Sequence, residues 1–227
     1  MLPATAGVTT TAAGITTLAH MVPRHDRVLP VDEAITSLFP AAGLQRGHLV
    51  GCSGPAATSL ALAVVARAAT AGAWVAAVGM PTLGVEAAAE AGVPLARLVL
   101  IDIDNSQPAA SWAERIGAAA DGFEIILTCP PPGAERMLRK VRQRLLARGA
   151  VLVVILAAHQ GERQGERLAC DVELVTSTVE WLGIGTGHGG LVGRRVSVTS
   201  NGRRSPRPVQ TELWLPGPDG RAGAAIS

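Results

Sequence analysis

The stretch HLVGCSGPAATSLALAVVARA, residues 48–68, decides the fold because it joins a short apolar strand to a glycine turn and then to a long apolar helix. A strand, a glycine turn and a helix N-terminus in this order form the phosphate-binding loop of many nucleotide-binding proteins. That loop ends in Gly-Lys-Ser/Thr, but counting from Gly51 the chain has Ala-Ala-Thr at 56–58. A count from Gly54 leaves the loop several residues too short. The sequence therefore predicts a degenerate nucleotide loop without its lysine, formed by Gly51, Gly54, Ala56, Ala57, Thr58 and Ser59.

The segments around this loop alternate between apolar strands and helical patterns. Further buried strands are predicted at 73–80, 96–102, 123–129 and 150–158. Helical patterns separate them, and the clearest covers 134–149, where apolar residues at helical spacing alternate with arginines. Strands that alternate with helices form a mostly parallel sheet covered by helices on both faces. The sequence therefore predicts a three-layer α/β core.

Towards the C-terminus the pattern changes to period two without intervening helices, which is typical of antiparallel strands. The segments at 170–183, 194–204 and 208–217 are predicted to form an antiparallel meander on the edge of the sheet. The glycine-rich GTGHGG at 185–190 is predicted to be a flexible hairpin loop. The complete prediction is an α/β core with a C-terminal antiparallel meander.

Length and composition indicate one domain. The chain has 227 residues, with a predicted flexible arm at 1–27, a domain at 28–215 and a flexible tail at 216–227. The N-terminal residues lack the charged start and apolar block of a signal peptide, and no apolar run is long enough for a membrane helix. We therefore expect a cytoplasmic protein, with association with the nucleoid as an alternative.

Charge and cysteine content exclude few functions. The formal net charge of +2 is too small to indicate nucleic-acid binding by itself. The three cysteines, Cys52, Cys129 and Cys170, are far apart in the sequence and have neither metal-ligand spacing nor a disulfide pattern. We expect them to be small buried apolar residues, and we expect no metal site.

Several segments carry a resemblance to a known family. GLQRGHLVGCSGPAATSLALAV at 43–64, IDIDNSQPAASWAERI at 101–116 and RMLRKVRQRLLARGAVLVVILAAHQ at 136–160 follow one another as similar segments do in RecA recombinases, and the C-terminal strands continue the match. The likeness extends over residues 29–215. It implies a RecA-like core in which the loop at 51–58 takes the place of the nucleotide site.

The catalytic positions depart from the pattern of RecA-type ATPases. The resemblance places Met80 where a Glu activates water, Thr128 where an Asp organises magnesium and Ala157 where a Gln senses the γ-phosphate. The only lysine, Lys140, lies on a different predicted helix from the loop. Phosphoryl transfer then has neither charge neutralisation nor a positioned water. We expect no catalytic residue and no cofactor, while weak binding of an anion or nucleotide at the helix N-terminus stays open.

RecA-like chains without ATPase residues resemble the actinobacterial ImuA-prime proteins, and TSLALAV, LARGAVLVVI and ELWLPG carry most of that likeness. The resemblance implies an accessory protein of the mutasome, which performs translesion synthesis after DNA damage as part of the SOS response and mutagenesis. It further implies binding to the polymerase-like protein ImuB and, through it, to an error-prone C-family DNA polymerase. Two alternatives are an ATP-binding DNA repair protein of the RecA family and a DNA-binding SOS regulator. A filament is not expected, because residues 1–27 show no amphipathic helix.

Two groups of residues are candidates for binding a partner or DNA. The stretch 183–210 contains five arginines and no acidic residue, so it could bind phosphates or an acidic partner, or it could protect an edge strand from aggregation. The arginine face of helix 134–149 could likewise bind DNA or an acidic partner, or it could be a solvated helix surface. Aromatic and apolar anchors are expected beside the tail. The candidates are Arg194, Arg195, Arg203, Arg204, Arg207, Trp214 and Leu215.

Overall fold

The computed structural model describes residues 27–103, 109–156, 168–185, 187–203 and 205–225. The strands are β1 (Val28–Leu29), β2 (Leu44–Gln45), β3 (Leu49–Ser53), β4 (Val75–Val78), β5 (Leu98–Ile101), β6 (Ile125–Thr128), β7 (Val151–Ile155), β8 (Val172–Gly185), β9 (His188–Gly202), β10 (Ser205–Trp214) and β11 (Gly223–Ala224). The helices are α1 (Glu33–Thr36), α2 (Ala57–Thr70), α3 (Val85–Glu90), α4 (Ala109–Ala119) and α5 (Leu138–Arg148), with single 3-10 turns at Leu95–Arg97 and Ala134–Met137.

One nine-stranded sheet organises the described residues, in the order β11-β10-β9-β8-β3-β7-β6-β4-β5. The neighbouring strands in the part β8-β3-β7-β6-β4-β5 are parallel. The neighbouring strands in the part β11-β10-β9-β8 are antiparallel, so β8 joins the two parts. A separate antiparallel pair joins β1 to β2. The predicted α/β class, with a mostly parallel sheet and a C-terminal antiparallel meander, is confirmed.

Helices cover both faces of the parallel part of the sheet. Alternate residues of β7 divide between two apolar cores: Val151 and Val153 pack on the side of α1, α2 and α3, and Leu152 and Val154 pack on the side of α4 and α5. All five residues of β7 are buried, which explains why its sequence is an unbroken apolar run. The side chains of α2 and α5 therefore lie on opposite sides of the sheet.

The C-terminal segment differs from its prediction in two places. The expected flexible loop at 185–190 is mostly strand, because β8 continues to Gly185 and β9 begins at His188. The expected tail contains β11, which pairs with β10 through Leu213 opposite Ala224 and Trp214 opposite Gly223. Backbone pairing at a sheet edge needs no apolar side chain, so this strand leaves little pattern in the sequence.

The helices of the described ranges are each too short or too polar to cross a bilayer. The longest is α2, with 14 residues.

Candidate functional site

The turn between β3 and α2 leads from a strand into a helix N-terminus, and it is pressed against β8. Gly54 has a φ of +92°, and a Cβ at this position would lie 2.1 Å from the backbone oxygen of Thr176. Only glycine combines this dihedral angle with so close an approach. The sequence pattern predicts that this glycine lets the backbone approach a bound anion. In the structure, the backbone of strand β8 occupies the space beside Gly54.

The side chain of Thr176 closes the loop. Its hydroxyl accepts a hydrogen bond from the backbone N–H of Ala56 at 3.0 Å and donates one to the carbonyl of Ser53 at 2.9 Å. Thr176 is 3% exposed, so both bonds lie inside the protein. In a phosphate loop the backbone N–H groups of this turn are the donors that bind phosphate oxygens. At Ala56 an internal hydroxyl takes the place of that oxygen.

Arg194 places a cation beside the loop but directs it at carbonyl groups. Its Nη1 donates to the carbonyl of Pro55 at 3.1 Å, and its Nε donates to the carbonyl of Leu215 at 3.1 Å. The guanidinium also lies 5.0 Å from the ring centroid of Trp181, a cation–π distance. Burial lowers the pKa of Arg194, which nevertheless remains protonated in water at ordinary pH. Arg194 therefore fastens the loop to β9 and to the end of the meander.

An open cleft of about 230 Å³ remains between the loop and the end of β7. The hydroxyl groups of Thr58 and Ser59 line it, and none of its lining residues is charged. Lys140 belongs to α5, which packs on the opposite side of the sheet from α2. Among the described residues, the cleft thus offers an anion only amide and hydroxyl groups. Its lining residues are Gly54, Pro55, Ala56, Ala57, Thr58, Ser59, Ile155 and Leu156.

The other positions compared with an ATPase are apolar or structural where they are described. Met80 packs against the core on the α2 side. Thr128, at the end of β6, is fully buried; its hydroxyl accepts from Nε1 of Trp112 at 3.1 Å and donates to the carbonyl of Val78 at 2.9 Å. This hydroxyl connects α4 to the sheet. Ala157 lies outside the described residues.

The cysteines supply no nucleophile to the loop. Cys52, in β3, is buried, and this burial raises the pKa of its thiol far above the usual range. Burial also raises the pKa of Cys170 to about 12. Cys52 and Cys170 are buried as predicted, but Cys129 is exposed because it follows the end of β6. Protonated thiols are poor nucleophiles and poor metal ligands.

The arginines of the predicted meander patch do not act as one cationic surface. Arg194 is 7% exposed and bound to the loop. Arg195 lies between two carboxylates, with Glu180 at 3.1 Å and Glu212 at 3.3 Å. Arg203 and Arg207 are exposed, and Arg204 lies outside the described residues.

The predicted anchors beside the tail are less accessible than an aromatic residue that the sequence did not single out. Leu215 is 2% exposed and Trp214 is half-buried, whereas Trp181 in β8 is 47% exposed. Trp181 belongs to a group of exposed apolar side chains near the turn between β8 and β9, which we call the hairpin patch. A group of exposed large apolar side chains is typical of protein–protein contacts. The hairpin patch contains Val179, Trp181, Leu182, Ile184, Leu191 and Val192.

Comparison with known proteins agrees with this architecture. The chain is similar to the RadB recombinase in its crystal structure, with a TM-score of 0.62 and 15% sequence identity over 86% of this chain and 97% of that one. This likeness shows a RecA-like fold. The uncharacterised protein Rv3395c of Mycobacterium tuberculosis is 31% identical over 150 residues, which are 65% of this chain and 71% of the relative. Residues 37–161, from the end of α1 to beyond β7, match the family described as the MT3502 N-terminal domain; α1 itself (Glu33–Thr36) precedes the match. The chain therefore belongs to the MT3502 N-terminal domain family, whose matched region here forms most of a RecA-like core.

Proposed function

We propose that this chain is a non-enzymatic accessory protein of DNA-damage-induced translesion synthesis, which binds the polymerase-like protein ImuB and, through it, an error-prone C-family DNA polymerase. The observation that carries the proposal is the closed loop: the hydroxyl of Thr176 binds the Ala56 amide that would otherwise face a phosphate. A RecA-like core that has lost its nucleotide site can still serve as a rigid scaffold for binding. The mutasome is proposed as the assembly because the sequence resembles the ImuA-prime proteins.

The chemistry of the closed loop argues against ATP hydrolysis. Phosphoryl transfer depends on cations that neutralise the transferred group and on a residue that positions the attacking water. Arg194, a described cation that contacts the loop, is committed to the carbonyls of Pro55 and Leu215. The residue at the magnesium-organising position, Thr128, is committed to Trp112 and Val78 inside the core. These four contacts give each polar group a structural role.

The surface supports binding to another protein. The hairpin patch exposes between 38% and 57% of each of its six large apolar side chains. Burial of apolar surface contributes roughly 25 cal/mol per Å², so a patch of this kind can supply much of the free energy of a protein–protein interface. An adaptor needs such exposed groups, whereas an isolated enzyme does not.

Co-expression with ImuB followed by co-purification tests the proposal directly. We expect the two proteins to elute together, and we expect ATP with magnesium to leave the melting temperature of this chain unchanged. A nucleotide at one hundred times its Kd would stabilise the fold by about 2.7 kcal/mol, an effect that a thermal-shift assay measures readily. Failure to associate with ImuB at micromolar concentrations contradicts the adaptor role. Stabilisation by ATP contradicts the non-enzymatic role.

The open cleft favours one second candidate, an ATP-binding DNA repair protein of the RecA family. Its hydroxyl groups, Thr58 and Ser59, lie at the start of α2, where a helix N-terminus attracts anions. The same thermal-shift assay separates the candidates, because only this second one requires stabilisation by nucleotide.

A further inference from the structure

Helix α5 has one buried face and one face exposed to solvent. Leu138, Val141 and Leu145 are its buried residues, and they point into the core on the α4 side. The opposite face begins in the preceding 3-10 turn and continues along the helix. We call this face the α5 ridge; it consists of Arg136, Arg139, Lys140, Gln143 and Leu146, of which each helical member is exposed.

Three arginines beside the ridge form ion pairs with carboxylates of the same chain. Arg142 is not part of the ridge, because its Nη1 donates to both carboxylate oxygens of Asp171 at 3.1 Å. Arg144 and Arg148 both bind the carboxylate of Asp121, at the side of the ridge that faces α4. The hydrogen bond from Arg144 is the main cause of the lowered pKa of Asp121. This flank of α5 therefore already binds a carboxylate from its own chain.

The middle of the ridge has no such compensation. Arg139 and Lys140 are exposed, and among the described residues neither has an acidic side chain within ion-pair distance. Arg136, in the preceding 3-10 turn, has its sequence neighbour Glu135 at 3.7 Å. A row of cations across about one helical turn, about 5 Å, is complementary to closely spaced negative charges.

An apolar side chain lies on the same face. Leu146 is 66% exposed, more than any other large apolar residue of the described chain. It follows Arg139 by seven residues, so it lies on the same side of the helix about 10 Å further along. It rests against the turn before β3, where a Cβ at Gly47 would lie 2.9 Å from its Cδ2. The ridge thus combines free cations with an exposed apolar contact point.

We infer that the α5 ridge is the docking surface for an acidic segment of a partner polypeptide that places carboxylates against Arg139 and Lys140 and an apolar side chain against Leu146. The inference rests on the proposed adaptor function and specifies the chemistry of one contact. Leu146 distinguishes this partner from nucleic acid, because a phosphate backbone gains nothing from an exposed leucine. The sequence of α5, LRKVRQRLLAR, also contains no aromatic residue on which a base could stack.

Fluorescence anisotropy tests the inference with a labelled synthetic peptide that carries a Glu-Glu pair and a leucine seven residues further on. We expect the full chain to bind this peptide and a duplex of random-sequence DNA to compete poorly. Arg139→Ala with Lys140→Ala, and separately Leu146→Ala, should each weaken peptide binding by about tenfold. The matched control is Arg67→Ala, which removes an exposed cation from α2 on the other side of the sheet and should change nothing.

A charge-reversal arm makes the test specific. Arg139→Glu with Lys140→Glu should reject the acidic peptide and bind the same peptide with Lys-Lys in place of Glu-Glu. Unchanged peptide affinity in the alanine variants, or duplex DNA that binds more tightly than the peptide through the same two cations, overturns the inference. Co-purification with ImuB is measured separately with the unaltered chain, so its failure reports on the proposed function and not on the ridge.

Discussion

The hydroxyl of Thr176 lies between Ala56 and Ser53, 3.0 Å from the amide nitrogen of one and 2.9 Å from the carbonyl oxygen of the other. Strand β8 is thereby attached to both sides of the turn between β3 and α2. The turn is held closed by a residue 120 positions away from Ala56 in the chain.

Replacement of Thr176 by Val tests how much this attachment stabilises the protein. Valine keeps the shape of threonine but leaves the amide of Ala56 and the carbonyl of Ser53 without that partner. We expect the free energy of unfolding to fall by about 1–3 kcal/mol, the cost of buried unsatisfied polar groups. Thr176→Ser keeps the hydroxyl and is the control. Urea denaturation that gives equal stabilities for the Val variant and the unaltered chain is incompatible with this role.

The close approach at Gly54 predicts a second effect on stability. Gly54→Ala should destabilise the fold by clearly more than the roughly 1–2 kcal/mol that a left-handed backbone costs a non-glycine residue, because its Cβ would overlap the Thr176 carbonyl. Gly72→Ala is the matched control, since Gly72 also has a positive φ, of +108°, but has no heavy atom within 4 Å of the new Cβ. Thermal denaturation compares the two. Equal losses would mean that the contact with β8 adds nothing to backbone strain.

Two adjacent arginines are expected to differ sharply. Arg194→Ala removes buried bonds to two carbonyls and the contact with Trp181, so it should cost about 2–4 kcal/mol of stability. Arg195→Ala removes partly exposed ion pairs and a buried Nε that has no partner, so it should cost less than about 1 kcal/mol. Chemical denaturation of both variants gives the comparison. A larger loss of unfolding free energy for Arg195→Ala than for Arg194→Ala would contradict the conclusion that Arg194 holds the loop in place.

The ion pairs of Asp121 predict a dependence of stability on pH. Bonding to Arg144 holds the pKa of Asp121 below its ordinary value of 3.8, so the folded state favours the ionised carboxylate. Its contribution is fully present above the ordinary pKa and is lost as the pH falls through the lower folded value. The difference in free energy of unfolding between Asp121→Asn and the unaltered chain should therefore become smaller as the pH drops below 4. The total change should be less than about 1 kcal/mol, because the ion pair is exposed. Denaturation between pH 7 and pH 3 measures this, and a constant difference would argue against the ion pair.

Much of the core follows from local pattern. The long apolar helix predicted after the glycine turn is α2 (Ala57–Thr70), and the apolar run at 150–158 contains β7 (Val151–Ile155). The ends of the predicted core strands shift by one to three residues, since hydrogen bonding with neighbours, and not apolar character, sets where a strand stops. The predicted helix at 134–149 begins as the 3-10 turn Ala134–Met137 before α5.

Some features of the candidate site can be predicted from the sequence, and others cannot. The absence of lysine at 56–58 is readable from the sequence, because the motif has fixed spacing. The roles of Thr176 and Arg194 are not readable, because neither residue type nor local period distinguishes them from other residues of the meander. The exposure of Trp181 was missed for the same reason: an aromatic residue in a strand is usually buried, and only the extension of β8 and β9 beyond β10 leaves this one in contact with solvent.

The sequence by itself determined the α/β class, the order of the core strands and helices, and the absence of a lysine at 56–58. These depend on residue types at short, regular separations, where the chain's own geometry sets which residues become neighbours. Only the tertiary structure decided that Thr176 and Arg194 close the loop and that Glu180 and Glu212 neutralise Arg195. It also decided that, within the described part of the chain, no acidic side chain pairs with Arg139 or Lys140. Contacts between distant residues arise from sheet register and helix packing, and the strength of a charge or a hydrogen-bond donor depends on the partner it meets there.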